Sequence, residues 1–260
     1  MYRVFALGLL AAIGGCWASD AAPEVARVTA AVVAPRPAPS DGAVVAIRFR
    51  SGELRCSGTL IAPHIVLTAA HCGIDALNYF DFEVFFGEST AGAGKAIDVV
   101  DARTHPEFVD ATFKNDIALM FLRDVAPVAP RPTRSAPFVA TDIGSELRFV
   151  GFGRTGATAS DEGVRREGRA PLSEIGPLEL TIAGGGSQPC TYDSGGAAFY
   201  TVDGVEQLAG VVSRGDSECA SYARFTRVDA YQGFIRAYLD DTAEGTRALG
   251  ARCLYDGHCR

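Results

Sequence analysis

Ser194 lies in the stretch CTYDSGGAAF, Cys190 to Phe199, between an aspartate and two glycines. A hydroxyl on so tight a turn can act as a nucleophile once a base takes its proton. Gly195 and Gly196 accept backbone angles that a β-carbon forbids and leave room for a substrate carbonyl. Taken alone, a serine between glycines is an ordinary turn. His71 offers the matching base, since imidazole titrates near neutrality and can take up and return a proton. It closes the stretch CSGTLIAPHIVLTAAHC, where two β-rich runs flank an Ala-Pro turn and a bond between Cys56 and Cys72 would pin their ends. Taken alone, a histidine beside a cross-link is structural.

Placing a serine and a histidine 123 residues apart in one site requires a large folded scaffold, and 260 residues suffice for one all-β unit or two smaller domains. The formal charge of −7 provides no basic surface, so nucleic acid is not expected as a partner. Seven cysteines are present. Setting Cys16 aside leaves three close couples, Cys56 with Cys72, Cys190 with Cys219 and Cys253 with Cys259, which read as disulfides formed in an oxidising compartment. None has CxxC spacing, and no phosphate loop is found, so neither a metal nor a cofactor is expected.

Residues 1–15 read as an export signal, one arginine before an apolar run too short to span a bilayer. The IGGC that ends at Cys16 resembles the lipobox of bacterial lipoproteins, in which that cysteine is acylated and tethers the chain to a membrane. The alternative is an ordinary secretory signal cut a few residues later. Residues 16–42, rich in alanine and proline, read as a linker or propeptide. The polar stretch from Gly156 to Gly168 reads as an exposed loop, and the tail, 241–260, carries Cys253 and Cys259. Apolar residues at helical spacing from Val228 to Leu239 predict a helix.

The stretch ending TAAHC resembles the histidine segment of the trypsin/chymotrypsin-like serine proteases. HPEF at His105 and NDIALMFL at Asn115 to Leu122 resemble that family's aspartate region, with Asp116 the matching residue; His64 and His105 read as turn and loop residues. FVGFGRT at Phe149 resembles its GWG strand, and Gly210 to Val228 its substrate-binding strand and pocket wall. The resemblance covers residues 43–240. It implies an all-β fold of two packed antiparallel six-stranded barrels, about 43–130 and 138–228, with a C-terminal helix at 228–239.

By the same resemblance, His71, Asp116 and Ser194 form a catalytic triad that hydrolyses a protein or peptide substrate through an acyl-enzyme. The N–H groups of Tyr192 and Ser194 form the oxyanion hole, with tyrosine where the family usually has glycine. Asp193 would pair with a new α-amino group after cleavage between Arg27 and Val33. Gln188, Ser213, Gly215 and Ala223 occupy substrate-binding positions, Ser213 also supporting Asp116. Gln188 replaces the aspartate of lysine- and arginine-specific members and implies a neutral pocket. A monomer that is exported, tethered or secreted is expected. The rival reading is a protein-binding module on the same scaffold, without turnover, motivated by Tyr192.

Overall fold

The computed structural model describes Met1 and residues 36–75, 77–184 and 186–245, with side chains placed through residue 239. Cys16, Cys253, Cys259 and the segment from Arg27 to Val33 lie outside the described residues. A two-residue strand β1 (Arg36–Pro37) precedes six longer ones: β2 (Val44–Phe49), β3 (Leu54–Ala62), β4 (Ile65–Thr68), β5 (Phe82–Gly87), β6 (Gly94–Thr104) and β7 (Ala118–Leu122). The six pair antiparallel in the order β2-β3-β4-β7-β6-β5 and close where β2 meets β5, which leaves no open edge. Every residue of β4 and β7 is buried, so the apolar runs before His71 and after Asp116 are central strands.

A second ring contains β8 (Glu146–Gly151), β9 (Arg166–Ile175), β10 (Glu179–Ala183), β11 (Ala197–Val202), β12 (Val205–Gly215) and β13 (Tyr222–Arg227). They run β8-β9-β10-β13-β12-β11, and β11 returns to β8, so both barrels are closed and six-stranded as the resemblance implied. Asp203 and Gly204, at φ 48° and 78°, form the two-residue turn between β11 and β12; such left-handed pairs match the twist of the strands they join.

One apolar cluster joins the barrels: Leu60, Leu67 and Leu119 pack with Val150, Phe199 and Val211. Leu147, Leu172, Leu180 and Phe225 fill the second barrel. Phe152, the aromatic in the stretch read as a GWG-like strand, is fully buried.

Three boundaries differ from the sequence reading. The helix α1 spans Gln232–Gly245, and Asp229–Tyr231 form a 3-10 turn before it. Its Ile235 is buried in the joint core, while Phe234 and Tyr231 close on His105 at 5.1 and 5.3 Å. Residues 36–42 are folded rather than a free linker. Pro37 and Arg36 pair with Arg166 and Glu167, and Arg148 forks onto Asp41 at 2.7 and 3.0 Å while also bonding Glu167 and Glu206. Composition cannot reveal Asp41 held by a partner 107 residues away. Finally, the loop expected through Gly168 stops earlier. Arg165 is 4% exposed because Ala38, Val44, Gly87 and Pro39 all offer it carbonyls, and β9 begins at Arg166.

Candidate active site

Strand β4 ends at Thr68, and a 3-10 turn over Ala70–Cys72 carries His71, stopped by Gly73 at φ 76°. The Cys56–Cys72 disulfide ties this turn to β3, and Arg55 Nε donates to the Cys72 carbonyl at 2.8 Å. Asp116, with no exposure at all, precedes β7. Its neighbour Asn115, at φ 58°, is clamped at both ends of its amide, donating to the Glu107 carbonyl and accepting from the Tyr231 hydroxyl. Thr226 of β13 donates to the Asp116 carbonyl, so both barrels fix this residue.

The three side chains form one line. The His71 backbone N–H donates to Asp116 Oδ1 at 2.9 Å, His71 Nδ1 meets Asp116 Oδ2 at 2.8 Å, and Nε2 lies 2.8 Å from Ser194 Oγ. Ser213 Oγ donates to the same Asp116 Oδ2 at 2.5 Å. Burial pushes the Asp116 carboxyl up, but the bonds and charge of His71, with the Ser213 hydroxyl, outweigh it and hold the group below the usual carboxylate range. Nδ1 thereby keeps its proton toward Asp116, and Nε2 is left to accept one from the serine.

Around Ser194 the chain is held by backbone bonds. Ser57 N–H donates to the Ser194 carbonyl, Gly195 N–H to Val212, and Gly196 N–H to Asp193, each at 2.8 Å. Tyr192 adopts φ 74°, a left-handed conformation that costs a non-glycine residue on the order of 1–2 kcal/mol. Ser57 Oγ donates to its carbonyl at 3.0 Å, and Arg154 lies 5.1 Å over its ring. Among the described residues, neither the Tyr192 N–H nor the Ser194 N–H has a protein acceptor.

The Cys190–Cys219 disulfide forms, and the other predicted residues distribute as follows. Gly215 and Ala223 pair across β12 and β13. Gln188 is fully buried with both amide atoms lacking a protein partner, and it lines a small void with Asp193, Gly151, Gly153 and Arg166. Asp193 accepts N–H bonds from Gly153 and Cys190 at 2.8 and 2.9 Å. Desolvation nevertheless pushes its carboxyl up to about 6, against the pull of those bonds and of the Arg166 charge.

This shift has a testable sign. A carboxyl raised from about 3.9 in the unfolded chain to about 6 adds stability below pH 4 that is lost as pH rises through 6, worth about 2–3 kcal/mol. Urea unfolding of the uncleaved protein from pH 4 to 7 should show that contribution, and Asp193→Asn should lack it. Equal pH slopes for the two proteins count against the assignment.

Three residues near the site were not singled out from the sequence. Phe113, at φ 57°, sets its ring edge-on to His71 at 5.2 Å. Arg214 follows Ser213 and lies 5.5 Å from the Phe113 ring. Asp216 accepts N–H bonds from Glu218, Ala220, Ser221 and Tyr222, which outweigh its desolvation and hold its carboxyl below the usual range. One carboxylate therefore shapes the loop that leads from Gly215 to Ala223. Asp216→Asn sets an amide N–H against backbone N–H groups, and a loss of about 1–3 kcal/mol is expected. Thermal unfolding, with hydrogen exchange over residues 217–222, measures it; unchanged exchange there rules the role out.

Two closed barrels with a histidine, an aspartate and a serine in hydrogen-bonded line place this molecule in the trypsin-like double-barrel class. The chain belongs to the trypsin family: the family described as Trypsin matches residues 33–235. Among relatives, it is 29% identical over 258 residues to serine protease 56 of Mus musculus, covering 90% of this chain and 42% of that protein. It is 29% identical over 209 residues to trypsin of Saccharopolyspora erythraea, covering 72% and 88%. To the proclotting enzyme of Tachypleus tridentatus it is 31% identical over 214 residues, covering 68% and 56%. The chain spans less than half the length of serine protease 56 in mouse and human.

Proposed function

We propose that the protein is a serine endopeptidase. The observation that carries this reading is the unbroken line Ser194 Oγ, His71 Nε2, His71 Nδ1, Asp116 Oδ2, with contacts of 2.8 Å. Ser194 Oγ attacks the scissile carbonyl carbon as its proton passes to His71 Nε2. The oxyanion is received by the N–H groups of Ser194 and Tyr192, each such donor being worth about 3 kcal/mol in the transition state. Collapse breaks the C–N bond, and His71 returns the proton to the departing amine. Water, activated by the same imidazole, then hydrolyses the acyl ester and regenerates the hydroxyl.

A fluorophosphonate probe tests this reading, because it reacts only with an activated serine. Labelling at Ser194 by intact-mass analysis, lost in Ser194→Ala, is expected together with hydrolysis of a casein substrate. The binding-module reading draws on the strained Tyr192, and it prevails if the chain, once cleaved between Arg27 and Val33, neither labels nor cleaves.

For the residue before the scissile bond we propose a neutral side chain, since Gln188 places no carboxylate at the pocket base. Faster turnover of arginyl than of alanyl, leucyl or glutaminyl substrates would contradict this. Activation by cleavage between Arg27 and Val33 draws support from β1, which pairs with Arg166 and Glu167, two residues lining the void at Asp193. A new amine a few residues upstream of Arg36 is within reach of that desolvated carboxylate. N-terminal sequencing of active material decides it. Two disulfides fit an extracytoplasmic location; a tether at Cys16 and a monomeric state are proposed on the sequence alone.

A further inference from the structure

Beside the His71 and Ser194 pair opens a cavity of about 370 Å³, lined by Phe113, Arg214, Arg224 and Glu179, with Lys114 and Glu174 exposed at its rim. The Phe113 ring packs against both His71 and the Arg214 guanidinium, at 5.2 and 5.5 Å from its centroid. These contacts put the guanidinium within about 11 Å of the imidazole, roughly three residues of extended chain.

Both terminal nitrogens of Arg214 bond Glu179, at 2.5 and 3.0 Å, and Arg224 Nη1 reaches the same carboxylate at 3.3 Å. One carboxylate between two guanidiniums leaves a positive charge in excess, while Lys114 and Glu174 offset each other in solvent. Arg224 Nε is buried and without a protein partner among the described residues. A substrate cation would have to displace a bidentate guanidinium to reach Glu179. An incoming carboxylate needs no such exchange, and planar guanidinium forks match its geometry.

We propose that this cavity is a subsite for an acidic side chain, aspartate or glutamate, two to four residues from the bond that is cut. The proposal rests on the endopeptidase reading and names the substrate class of that site. It also predicts a preference that weakens with salt, because the rim of the cavity is wet.

Internally quenched peptide libraries, fixed in turn at each position flanking the scissile bond, test it on the full activated chain. Glutamate should exceed glutamine about tenfold in kcat/KM at one of these positions, and lysine should fall below both. Arg224→Gln, whose side chain is 41% exposed and therefore tolerant of change, should flatten that ratio. A flat profile, or one that favours lysine, overturns the subsite while leaving the endopeptidase reading intact. Should no peptide be cut, the endopeptidase reading falls. Fluorescence anisotropy of a fluorescein-labelled glutamate peptide and its glutamine counterpart on Ser194→Ala then decides the subsite without turnover: tighter binding of the glutamate peptide supports it, and equal binding overturns it.

Discussion

Asp116→Asn should leave both barrels folded and lower kcat by about four orders of magnitude, a magnitude that belongs to the general template of this family. The geometry explains why so small a change costs so much. Asp116 Oδ1 accepts the His71 backbone N–H, and Oδ2 accepts both from Nδ1 and from the Ser213 hydroxyl. In asparagine one of these oxygens becomes an N–H donor. With Oδ1 kept where the backbone N–H needs it, the new amide donates to Nδ1 and forces the imidazole proton onto Nε2. That nitrogen then presents a proton to Ser194 Oγ and has no lone pair with which to accept one. Four decades correspond to about 5.4 kcal/mol of activation free energy. The measurement is kcat on a peptide substrate, beside circular dichroism and thermal unfolding to establish that the fold survives. A decrease of less than tenfold in a folded variant would mean that Asp116 does not set the tautomer.

How much of this was legible in the chain follows from the range of each interaction. TAAHC, NDIALMFL and the DSGG turn were legible because each is a contiguous stretch that resembles a family motif, although each taken alone reads as structural. The two barrels were legible only as what the family resemblance implies. What stayed hidden was set by pairs far apart in sequence. Asp41 looked like part of a free linker because its partner Arg148 is a strand residue of the second barrel. Phe113 gave no signal because only the fold brings its ring to His71, and Asp216 gave none because its role, collecting the N–H groups of its own loop, exists only once that loop has folded. Gln188 was read as the floor of a specificity pocket. It also lines the void of Asp193, a contact that depends on the packing of the loop rather than on its residue types.

Gly195→Ala should cost both stability and activity heavily. Gly195 sits at φ 80°, and a β-carbon there would lie 2.1 Å from Thr68 Oγ1 and 2.2 Å from the Ser57 carbonyl oxygen. The hydroxyl could rotate away, but the carbonyl is backbone of β3 and already accepts the Thr68 hydroxyl. Relief therefore requires the Ser194 loop to move off β3. That motion strains the bond from Ser57 N–H to the Ser194 carbonyl, and with it the 2.8 Å approach of Oγ to His71. A misplacement of about 1 Å costs on the order of 10²-fold in rate. Left-handed backbone and overpacking together cost about 3 kcal/mol or more of stability. Gly204→Ala provides the control. Its φ of 78° is nearly the same, yet nothing lies within 4 Å of the added carbon, so only the backbone term of about 1–2 kcal/mol applies and kcat/KM should be unchanged. Thermal unfolding and kcat/KM of the two variants, measured side by side, separate conformational strain from collision. If Gly195→Ala loses no more stability and no more activity than Gly204→Ala, the close contact between the nucleophile loop and β3 is not what holds Ser194 against His71.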